Sequence, residues 1–530
     1  MPLSHIIKKP CPHCGKTAIE ATSIDFGTGY KLITLECGHV VTEDELDSAK
    51  SYDFTSLTKG HIPRHYQIEG IQFIEKSGVR CLVADEQGLG KTIQAIGTLR
   101  LHPEELLPCL VVTKTTIKNQ WFHELVEWLG LEQYLTQVIN SGKEIAIPGF
   151  QVYVTTYDML KNENLLDLVK IKTIIIDECQ QIKNHLSGRA KAIEKVAKYC
   201  DHVMALSGTP IKNNAAEYFT ILNILRPQKF PEYNKFVHEY CDYYETLYGF
   251  KVGGLRNPEL FHEETKDFII RRTREQAAPD LPKINRIFHH VELDKKLNAA
   301  YRDAMKELDN LLYADEDENT WASAIAIMTK MRKITGISKA AVEAVDYTMD
   351  FLASNERKIT IFVHHKSAAR MVIEKINQEI KAVNKEIGSE LLKPVLSLNA
   401  ELTGDGRSEV VRKFREENYR VLVASTLAAG EGLNLQFCSD AIMMERQWNP
   451  ANEEQAEGRF SRIGSLANQV NVIYFIASET IDEYFTELVE QKRAIIASTL
   501  DNKEISWDSS SLMKELAGVL LTKGKQRWKL

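Results

Sequence analysis

Short apolar runs rich in β-branched residues alternate with longer stretches of helical periodicity along most of the chain. Such runs occur at 110–113, 152–155, 174–176, 359–363, 420–424 and 472–476. Near-continuous apolar strands joined by helices are typical of parallel sheets that are covered on both faces. The pattern therefore predicts an α/β protein with two parallel-sheet lobes that border a cleft. Ligands of such folds collect at the carboxyl ends of the strands.

The same pattern divides the chain into segments. An aromatic-rich stretch at 240–250, an arginine cluster at 271–274 and a helical pattern from 297 to about 331 predict a mainly helical insertion and linker. The predicted segments are a small N-terminal module at 1–50, a first lobe at 51–227, the insertion and linker at 228–340, a second lobe at 341–490, and a C-terminal brace helix with a basic tail at 491–530.

Composition narrows the class of protein. The 530 residues, of which 44% are hydrophobic and 26% charged, are enough for several compact units. Apolar runs stay shorter than the roughly 18 residues of a membrane span, and the N-terminal residues lack the apolar core of a signal peptide. Nine cysteines without framework spacing favour a reducing compartment. We therefore expect no membrane partner and a cytoplasmic or nucleoid-associated protein, or one in the host cytoplasm if its source is viral.

The N-terminal module carries soft metal ligands in two turns. Cys11 and Cys14 form a C-x₂-C pair, and Cys37 and His39 follow a β-prone stretch. Four such ligands suit a tetrahedral Zn²⁺ site. A module this small has difficulty folding without a cross-link such as a bound metal ion. We therefore predict a zinc-ribbon-like module with structural Zn²⁺. His13 is an alternative to His39, and two unconnected turns with free thiols are the alternative to zinc.

A glycine-rich stretch between an apolar run and a helical pattern has the composition of a phosphate loop. Gly88 and Gly90 allow backbone N–H groups to close around a phosphate. Lys91 can then reach the phosphate oxygens, and the Thr92 hydroxyl can bind Mg²⁺. Asp85 occupies the position of the usual leading glycine, which leaves an ordinary turn ahead of a helix as the alternative.

Two adjacent acids, Asp177 and Glu178, end a buried strand about 85 residues beyond this loop. At a strand end, Asp177 can bind Mg²⁺ while Glu178 orients and deprotonates an attacking water. Acids commonly terminate strands for structural reasons, so the pair alone has an ordinary alternative. Together with a phosphate loop it predicts nucleotide hydrolysis.

From about residue 64 to residue 501 the chain resembles the Swi/Snf-like ATPases of helicase superfamily two. Its layout is closest to the compact annealing or fork-remodelling members and their bacterial and viral relatives. The resemblance rests on an ordered series of motifs at 64–70, 85–92, 177–178, 207–214, 268–273 with 281–282, 402–404, 425–435, 447–450 and 455–464. In this family an aspartate at the position of Asp85 is the norm.

The resemblance implies a role for each matching residue and two RecA-like lobes that clamp ATP. The expected catalytic residues are Lys91, Asp177, Glu178, Arg459 and Arg462. The expected nucleotide-binding residues are Gln67, which would read adenine, and Asp85, Gly88, Leu89, Gly90, Lys91, Thr92, Gly430 and Gly432. The expected Mg²⁺ ligands are Thr92 and Asp177. The expected DNA-contacting or coupling residues are Thr156, Ser207, Thr209, Thr403, Gly404, Thr426, Trp448 and Gln455.

Arg459 and Arg462 are three residues apart, so on a helix both would lie on one face and could neutralise charge on the γ-phosphate. A solvated helix face is the alternative. The chain departs from the family pattern at Cys179 and Gln180, where a small residue and a histidine are common, and at Ala429 and Ser465. The first departure predicts altered coupling between hydrolysis and DNA contact, with hydrolysis itself retained.

The expected function is that of an ATP-dependent translocase on duplex or branched DNA, acting in replication, recombination or repair. A net charge of −7 argues against coating nucleic acid by bulk charge but permits a basic groove. Three alternatives share the ATPase site: a strand-separating helicase on DNA or RNA, a nucleotide-gated DNA clamp, and an ATPase subunit of a nuclease system.

Overall fold

The apolar runs of the sequence form two parallel β-sheets in the computed structural model of the protein. The first sheet belongs to a unit made of residues 1–211, 216–239 and 259–278, and the second to a unit made of residues 212–215, 240–258 and 279–530. The structure describes the backbone of residues 6–10, 17–25, 31–35, 40–42, 63–129, 135–211, 214–246, 249–312, 318–399, 402, 404–426, 433–447, 450–462, 465 and 467–500.

The strands within these ranges are β1 Ile6–Pro10, β2 Thr17–Asp25, β3 Lys31–Leu35, β4 Val40–Thr42, β5 Arg80–Val83, β6 Cys109–Thr113, β7 Thr136–Val138, β8 Val152–Thr156, β9 Thr173–Asp177, β10 His202–Leu206, β11 Cys241–Thr246, β12 Gly249–Leu255, β13 Ile269–Ile270, β14 Lys283–Val291, β15 Ile359–Val363, β16 Leu396–Leu398, β17 Val421–Ser425, β18 Asp440–Met443 and β19 Gln469–Ala477. The α-helices are α1 His65–Lys76, α2 Lys91–Leu101, α3 Pro103–Leu106, α4 Lys118–Glu124, α5 Gly188–Ala197, α6 Phe219–Leu225, α7 Tyr233–Tyr240, α8 Pro258–Thr265, α9 Arg274–Ala277, α10 Lys295–Leu312, α11 Glu318–Ala341, α12 Glu343–Ser354, α13 Lys366–Ile387, α14 Gly404–Glu416, α15 Pro450–Glu457 and α16 Ile481–Leu500.

The sheet of the first unit has the strand order β13-β5-β10-β9-β6-β8-β7, and every neighbouring pair is parallel. All residues of β6 and β8 are buried, which explains why these strands read as continuous apolar runs. The register pairs Leu206 with Asp177 and Thr113 with Thr156. The carboxyl ends of the central strands therefore share one edge of the sheet, where their polar end residues gather.

The sheet of the second unit has the order β14-β19-β18-β15-β17-β16 and is also parallel throughout. Successive residues of β15 belong to different hydrophobic clusters. Ile361 packs in a cluster with Val423, whereas Phe362 packs in a second cluster with Leu422. Side chains of a strand alternate between the two faces, so this sheet has a separate core on each side.

The segment at 228–340, predicted as a mainly helical insertion and linker, contains more strand than its sequence pattern predicts. The aromatic-rich stretch forms an antiparallel hairpin of β11 and β12, in which Tyr243 pairs with Val252. Strand β14 pairs along its whole length with β19. Aromatic and β-branched residues fit the pleated surface of a sheet, which favours strands over helices at these positions. The helical pattern from 297 to about 331 corresponds to the two helices α10 and α11.

Strands β1 to β4 form a four-stranded antiparallel sheet near the N-terminus. The four residues predicted to bind zinc, Cys11, Cys14, Cys37 and His39, lie outside the described residues. Within the part of the chain that the structure describes, no group of three or more His, Cys, Asp or Glu residues is arranged to hold a metal ion.

Candidate active site

The glycine-rich stretch forms a tight loop between strand β5 and helix α2. Gly88 has φ +91° and Gly90 has φ +70°, both in the left-handed region that favours glycine. A Cβ atom on Gly90 would also collide with the side-chain amide of Gln67. The backbone at these two positions therefore has the shape that a phosphate loop needs, and α2 begins at Lys91 directly behind it.

Gln67 lies beside this loop in the first turn of α1. Its side chain accepts a hydrogen bond from the Arg64 backbone N–H at 2.9 Å and donates one to the Leu89 carbonyl at 3.4 Å. Gln67 is 1% exposed, so the amide is held in one orientation by its neighbours. The structure thus brings the residue predicted to read adenine next to the predicted phosphate loop.

Lys91 points back over the loop. Its Nζ donates hydrogen bonds to the carbonyl oxygens of Asp85 at 2.7 Å and Glu86 at 3.3 Å. Burial lowers the pKa of Lys91, while the nearby charges of Asp85, Glu178 and Asp177 act to raise it. The ammonium group therefore lies within electrostatic range of the acid pair on β9. Thr92 follows in the first turn of α2.

Asp177 ends strand β9 and is held by two side chains from the neighbouring region. Its Oδ2 accepts hydrogen bonds from Thr113 Oγ1 at 2.7 Å and Trp121 Nε1 at 2.8 Å. Burial, with a further contribution from the charge of Glu178, raises the pKa of Asp177 to about 6. The sequence contains no local signal that connects Thr113 or Trp121 with this acid, because each lies more than 50 positions away from it.

Glu178 is joined to the segment at 207–209 through Gln180. Gln180 Nε2 donates to Glu178 Oε2, and Ser207 Oγ donates to Gln180 Oε1 at 2.6 Å. The Thr209 backbone N–H donates to Ser207 Oγ at 3.0 Å. An amide has both a donor and an acceptor, so Gln180 can bridge the acid and the serine at once. Glu178 itself has φ +55°, an uncommon conformation for a residue other than glycine.

Asp85 is fully buried beneath the loop. Arg272 donates to Oδ1 from its backbone N–H and Nε, both at 3.1 Å, and to Oδ2 from Nη2 at 2.5 Å. Gln94 Nε2 also donates to Oδ2 at 2.9 Å. Both carboxylate oxygens are thus engaged within the protein. Any contribution of Asp85 to nucleotide binding therefore acts through the shape of the loop.

Gly208 brings the 207–209 segment against the glycine-rich loop. A Cβ atom on Gly208 would lie 2.6 Å from Gln87 Cγ and 3.3 Å from Lys91 Nζ. Arg271 Nη1 joins the two segments by donating to the carbonyl oxygens of Ala84 at 2.9 Å and Gly208 at 3.1 Å. Gly208 is therefore required for this close approach, although the sequence marked it only as part of a motif.

The predicted DNA-contacting residues of the first unit differ in their surroundings. Thr156 Oγ1 accepts a hydrogen bond from the Met159 backbone N–H at 3.3 Å, which satisfies a local turn. The Ser207 hydroxyl already donates its hydrogen bond to Gln180 Oε1. The Thr209 hydroxyl is buried and has no hydrogen-bond partner among the described residues.

In the second unit, Arg459 and Arg462 do not lie on a helix, contrary to the prediction. Helix α15 ends at Glu457, and the following residues form turns with hydrogen bonds from Arg459 N to Ala456 O at 3.1 Å and from Phe460 N to Glu457 O at 3.1 Å. Gly458 directly after the helix favours this ending, and burial of Phe460 draws the chain back into the core. Arg462 Nε donates to the Gly458 carbonyl at 3.0 Å.

The remaining predicted residues of the second unit are described only in part. Thr426 and Gln455 are buried, and Thr426 Oγ1 and Gln455 Nε2 have no hydrogen-bond partner within the described ranges. Gly404 is the first residue of α14. Thr403, Gly430, Gly432 and Trp448 lie outside the described residues.

In the described ranges, none of the helices has the length and apolar character needed to cross a membrane.

Comparison with known proteins finds two matching family models. The family model of the SNF2-related domain matches residues 66–338, and that of the helicase conserved C-terminal domain matches residues 341–464. The DNA annealing helicase and endonuclease ZRANB3 of Mus musculus is 28% identical over 473 residues, which are 86% of this chain and 42% of that protein. The SWI/SNF-related matrix-associated actin-dependent regulator of chromatin subfamily A-like protein 1 of Xenopus laevis is 29% identical over 439 residues, which are 81% of this chain and 43% of that protein.

The chain thus spans about two fifths of the length of these curated relatives. A solved structure, the Sulfolobus solfataricus SWI2/SNF2 ATPase core in complex with dsDNA, is 24% identical with a TM-score of 0.39, and the match covers 87% of this chain and 97% of that one. Because the SNF2-related domain alone accounts for more than half of the residues, the chain belongs to the SNF2-related family.

Proposed function

We propose that the protein is a DNA-dependent ATPase that moves along double-stranded DNA and remodels it. The observation that carries this proposal is the proximity of three groups at one edge of the first sheet. Lys91 is held over the glycine-rich loop, and the charges of Asp177 and Glu178 act on it. A phosphate-binding lysine, a candidate metal ligand and a candidate base at one site are the parts needed for hydrolysis of a nucleoside triphosphate.

The residues around the loop fit ATP and Mg²⁺. Gly88 and Gly90 have the positive φ angles that let backbone N–H groups surround a phosphate, and a side chain on Gly90 would not fit. Gln67, Leu89 and Lys91 would hold the nucleotide, and Thr92 with Asp177 would hold the metal. When bound, Mg²⁺ would neutralise phosphate charge and orient the leaving group.

Glu178 would accept a proton from the attacking water. Gln180 fixes the position of the Glu178 carboxylate and at the same time contacts Ser207. A change in the 207–209 segment would therefore reach the base through one side chain. This connection is the basis on which we propose that contact with DNA alters the hydrolysis rate, with Gln180 in the place where relatives commonly have histidine.

The nucleic-acid partner is proposed to be duplex or branched DNA. Two relatives are named as a DNA annealing helicase and as an ATPase core bound to dsDNA. Thr209, Thr426 and Gln455 each have a buried polar atom with no partner in the described part of the chain, which suits a ligand supplied from outside. The contacts predicted for Thr156, Ser207, Thr403, Gly404 and Trp448 stay predictions. Contacts to phosphate would give little sequence preference and an affinity that falls with salt.

The roles of Gly430, Gly432, Arg459 and Arg462 in binding nucleotide and stabilising phosphate charge also stay proposals. A role in replication, recombination or repair would follow from action on branched DNA.

One set of measurements separates this function from its alternatives. The ATPase rate would be measured with duplex, branched and single-stranded DNA and with RNA, together with displacement of a triplex-forming strand. Stimulation by duplex or branched DNA and triplex displacement are expected. Stimulation by RNA or single strands alone would favour a strand-separating helicase, and DNA-dependent hydrolysis without triplex displacement would favour a clamp.

For the N-terminal module we propose structural Zn²⁺ held by Cys11, Cys14, Cys37 and His39. The C-x₂-C spacing and the small size of the module support this proposal. Metal analysis of the purified protein should find about one Zn²⁺ per chain for a site with these four ligands. Absence of zinc together with freely titratable thiols would disprove it.

A further inference from the structure

The chain makes its last crossing from the first unit to the second between Ala278 and Pro279. We call residues 271–286 the connector. Directly before it, β13 pairs in parallel with β5, the strand that leads into the phosphate loop, with Ile270 opposite Val83. The backbone pairing continues into the loop, because Glu86 N donates to the Arg272 carbonyl at 2.9 Å. The connector therefore starts alongside the phosphate loop.

Three arginines at the start of the connector hold three consecutive residues of the loop. Arg271 binds the carbonyl of Ala84, and Arg272 binds the buried carboxylate of Asp85 through both of its oxygens. Arg274 binds Glu86 through its backbone N–H at 2.8 Å and its Nε at 2.7 Å. Burial alone would raise the pKa of Glu86, but its contacts with Arg274 outweigh burial and lower it.

The other end of the connector is anchored in the second unit, at the segment that carries Arg459. Ser461 Oγ donates to the Pro282 carbonyl at 2.7 Å, and Ser461 is fully buried. Arg286 Nε and Nη2 donate to the two carboxylate oxygens of Glu457 at 2.7 and 2.6 Å. Two-point contacts between arginine and a carboxylate fix orientation as well as distance. The connector thus contacts residues on both sides of Arg459.

We propose that the connector positions the residues of ATP hydrolysis in both units, with Arg272 setting the shape of the phosphate loop and Arg286 setting the segment that carries Arg459 and Arg462. This inference rests on the proposed ATPase function. Arg272 and Arg286 are positioning residues: each acts through a carboxylate that it holds, and neither needs to touch the nucleotide. The two anchors lie on one short continuous segment, residues 274–282, so a shift of the loop on nucleotide binding would be transmitted along the connector.

The test compares Arg272→Gln and Arg286→Gln with Arg412→Gln, which removes an arginine of an exposed ion pair with Glu409 on α14. We expect Arg272→Gln to weaken binding of a fluorescent ADP analogue and to raise the ATP KM by at least ~10-fold, because a displaced loop loses phosphate contacts. We expect Arg286→Gln to leave ADP affinity unchanged and to lower kcat by about 10-fold. Arg412→Gln should change neither quantity.

Lysine variants keep the test valid if a glutamine variant fails to fold. Arg272→Lys and Arg286→Lys retain the charge but cannot make the two-point contact, so each should show the same KM or kcat defect in a milder form. Folded variants with wild-type KM, kcat and ADP affinity would overturn the inference. Variants that lose thermal stability but keep wild-type KM, kcat and ADP affinity would also overturn the inference. An inactive wild-type protein that binds ADP would count against the proposed function, and the ADP affinities of the Arg272 variants would still decide the inference on the loop.

Discussion

The predicted phosphate loop of the first unit and helix α15 of the second are held in place by different combinations of contacts. In the loop, Arg271 and Lys91 donate to backbone carbonyls, two glycines permit the turn, and Arg272 and Arg274 bind the carboxylates of Asp85 and Glu86. Helix α15 is held by side-chain charges. Its buried Glu453 pairs with Arg446 at 2.8 Å and with Arg493 at 3.0 Å, in addition to the pair formed by Glu457.

This difference indicates how each region responds to substitution. The proposed base, Glu178, is not one of the groups that hold the loop, so the loop can lose this reacting group and keep its structure. Helix α15 is held by buried ion pairs. Removing one partner of such a pair leaves the other charge buried and uncompensated, which is strongly destabilising. Chemistry should therefore be separable from stability in the first region, and stability should be the first property lost in the second.

The largest effect is expected for Glu178→Gln in the first unit. Loss of the proposed base should reduce turnover by ~10³-fold or more, while ATP affinity and thermal stability stay close to wild type. DNA-stimulated ATPase assays and nucleotide binding would measure the two properties. Glu163→Gln, at an exposed glutamate in a loose 3.7 Å ion pair, is the control. Normal turnover in Glu178→Gln would refute the assignment of the base.

In the second unit, Glu457→Gln should cost stability on the order of 3 kcal/mol at neutral pH, because Arg286 loses its partner. Although burial raises the pKa of Glu457, its contacts with Arg286 lower it from 4.5 to about 2. A lowered pKa means that the carboxylate stabilises the folded state above pH 4.5, and this contribution disappears as pH falls toward 2.

Thermal unfolding of wild type and Glu457→Gln across this pH range would check the prediction. The difference in melting temperature should be largest near pH 7 and shrink below pH 4.5. The exposed pair of Arg412 and Glu409 provides the control, since Glu409→Gln should leave the melting temperature close to that of wild type at every pH. A difference that is the same at pH 7 and pH 3 would contradict the role of the ionised carboxylate.

A smaller effect is expected for Gln180→Ala. Loss of the bridge between Glu178 and Ser207 should reduce the stimulation of ATPase activity by DNA by about 10-fold, with ATP affinity retained. Gln180→His keeps a side chain with both a donor and an acceptor nitrogen and should keep most of the stimulation. The ratio of rates with and without DNA is the measurement. Equal ratios in wild type and Gln180→Ala would show that this bridge does not couple the two activities.

The smallest effect is expected for Thr156→Ala. The Thr156 hydroxyl already accepts a hydrogen bond from a local turn, so its loss should change DNA affinity by less than about 2-fold. Thr209→Ala, in which the hydroxyl has no partner among the described residues, should weaken DNA binding more. Titration of labelled duplex DNA at fixed salt would compare the two. A larger loss for Thr156→Ala would reverse this ranking.

The sequence by itself determined the parallel-sheet class and the family, and it predicted the residues of the phosphate loop and the acid pair. These features depend on near neighbours: a strand reads as an apolar run, and Gly88 and Gly90 mark a backbone that other residues rarely adopt. The resemblance to a known family then assigned a role to each motif.

Only the tertiary structure decided which distant side chains hold these motifs. Arg272 binds Asp85 across 187 positions, and Arg286 binds Glu457 across 171. It also decided that the helix before Arg459 ends at Glu457. Charge type and spacing along the chain do not specify such partners, because the pairing depends on where the sheets bring each segment in space. The contacts that position the site are therefore a property of the fold.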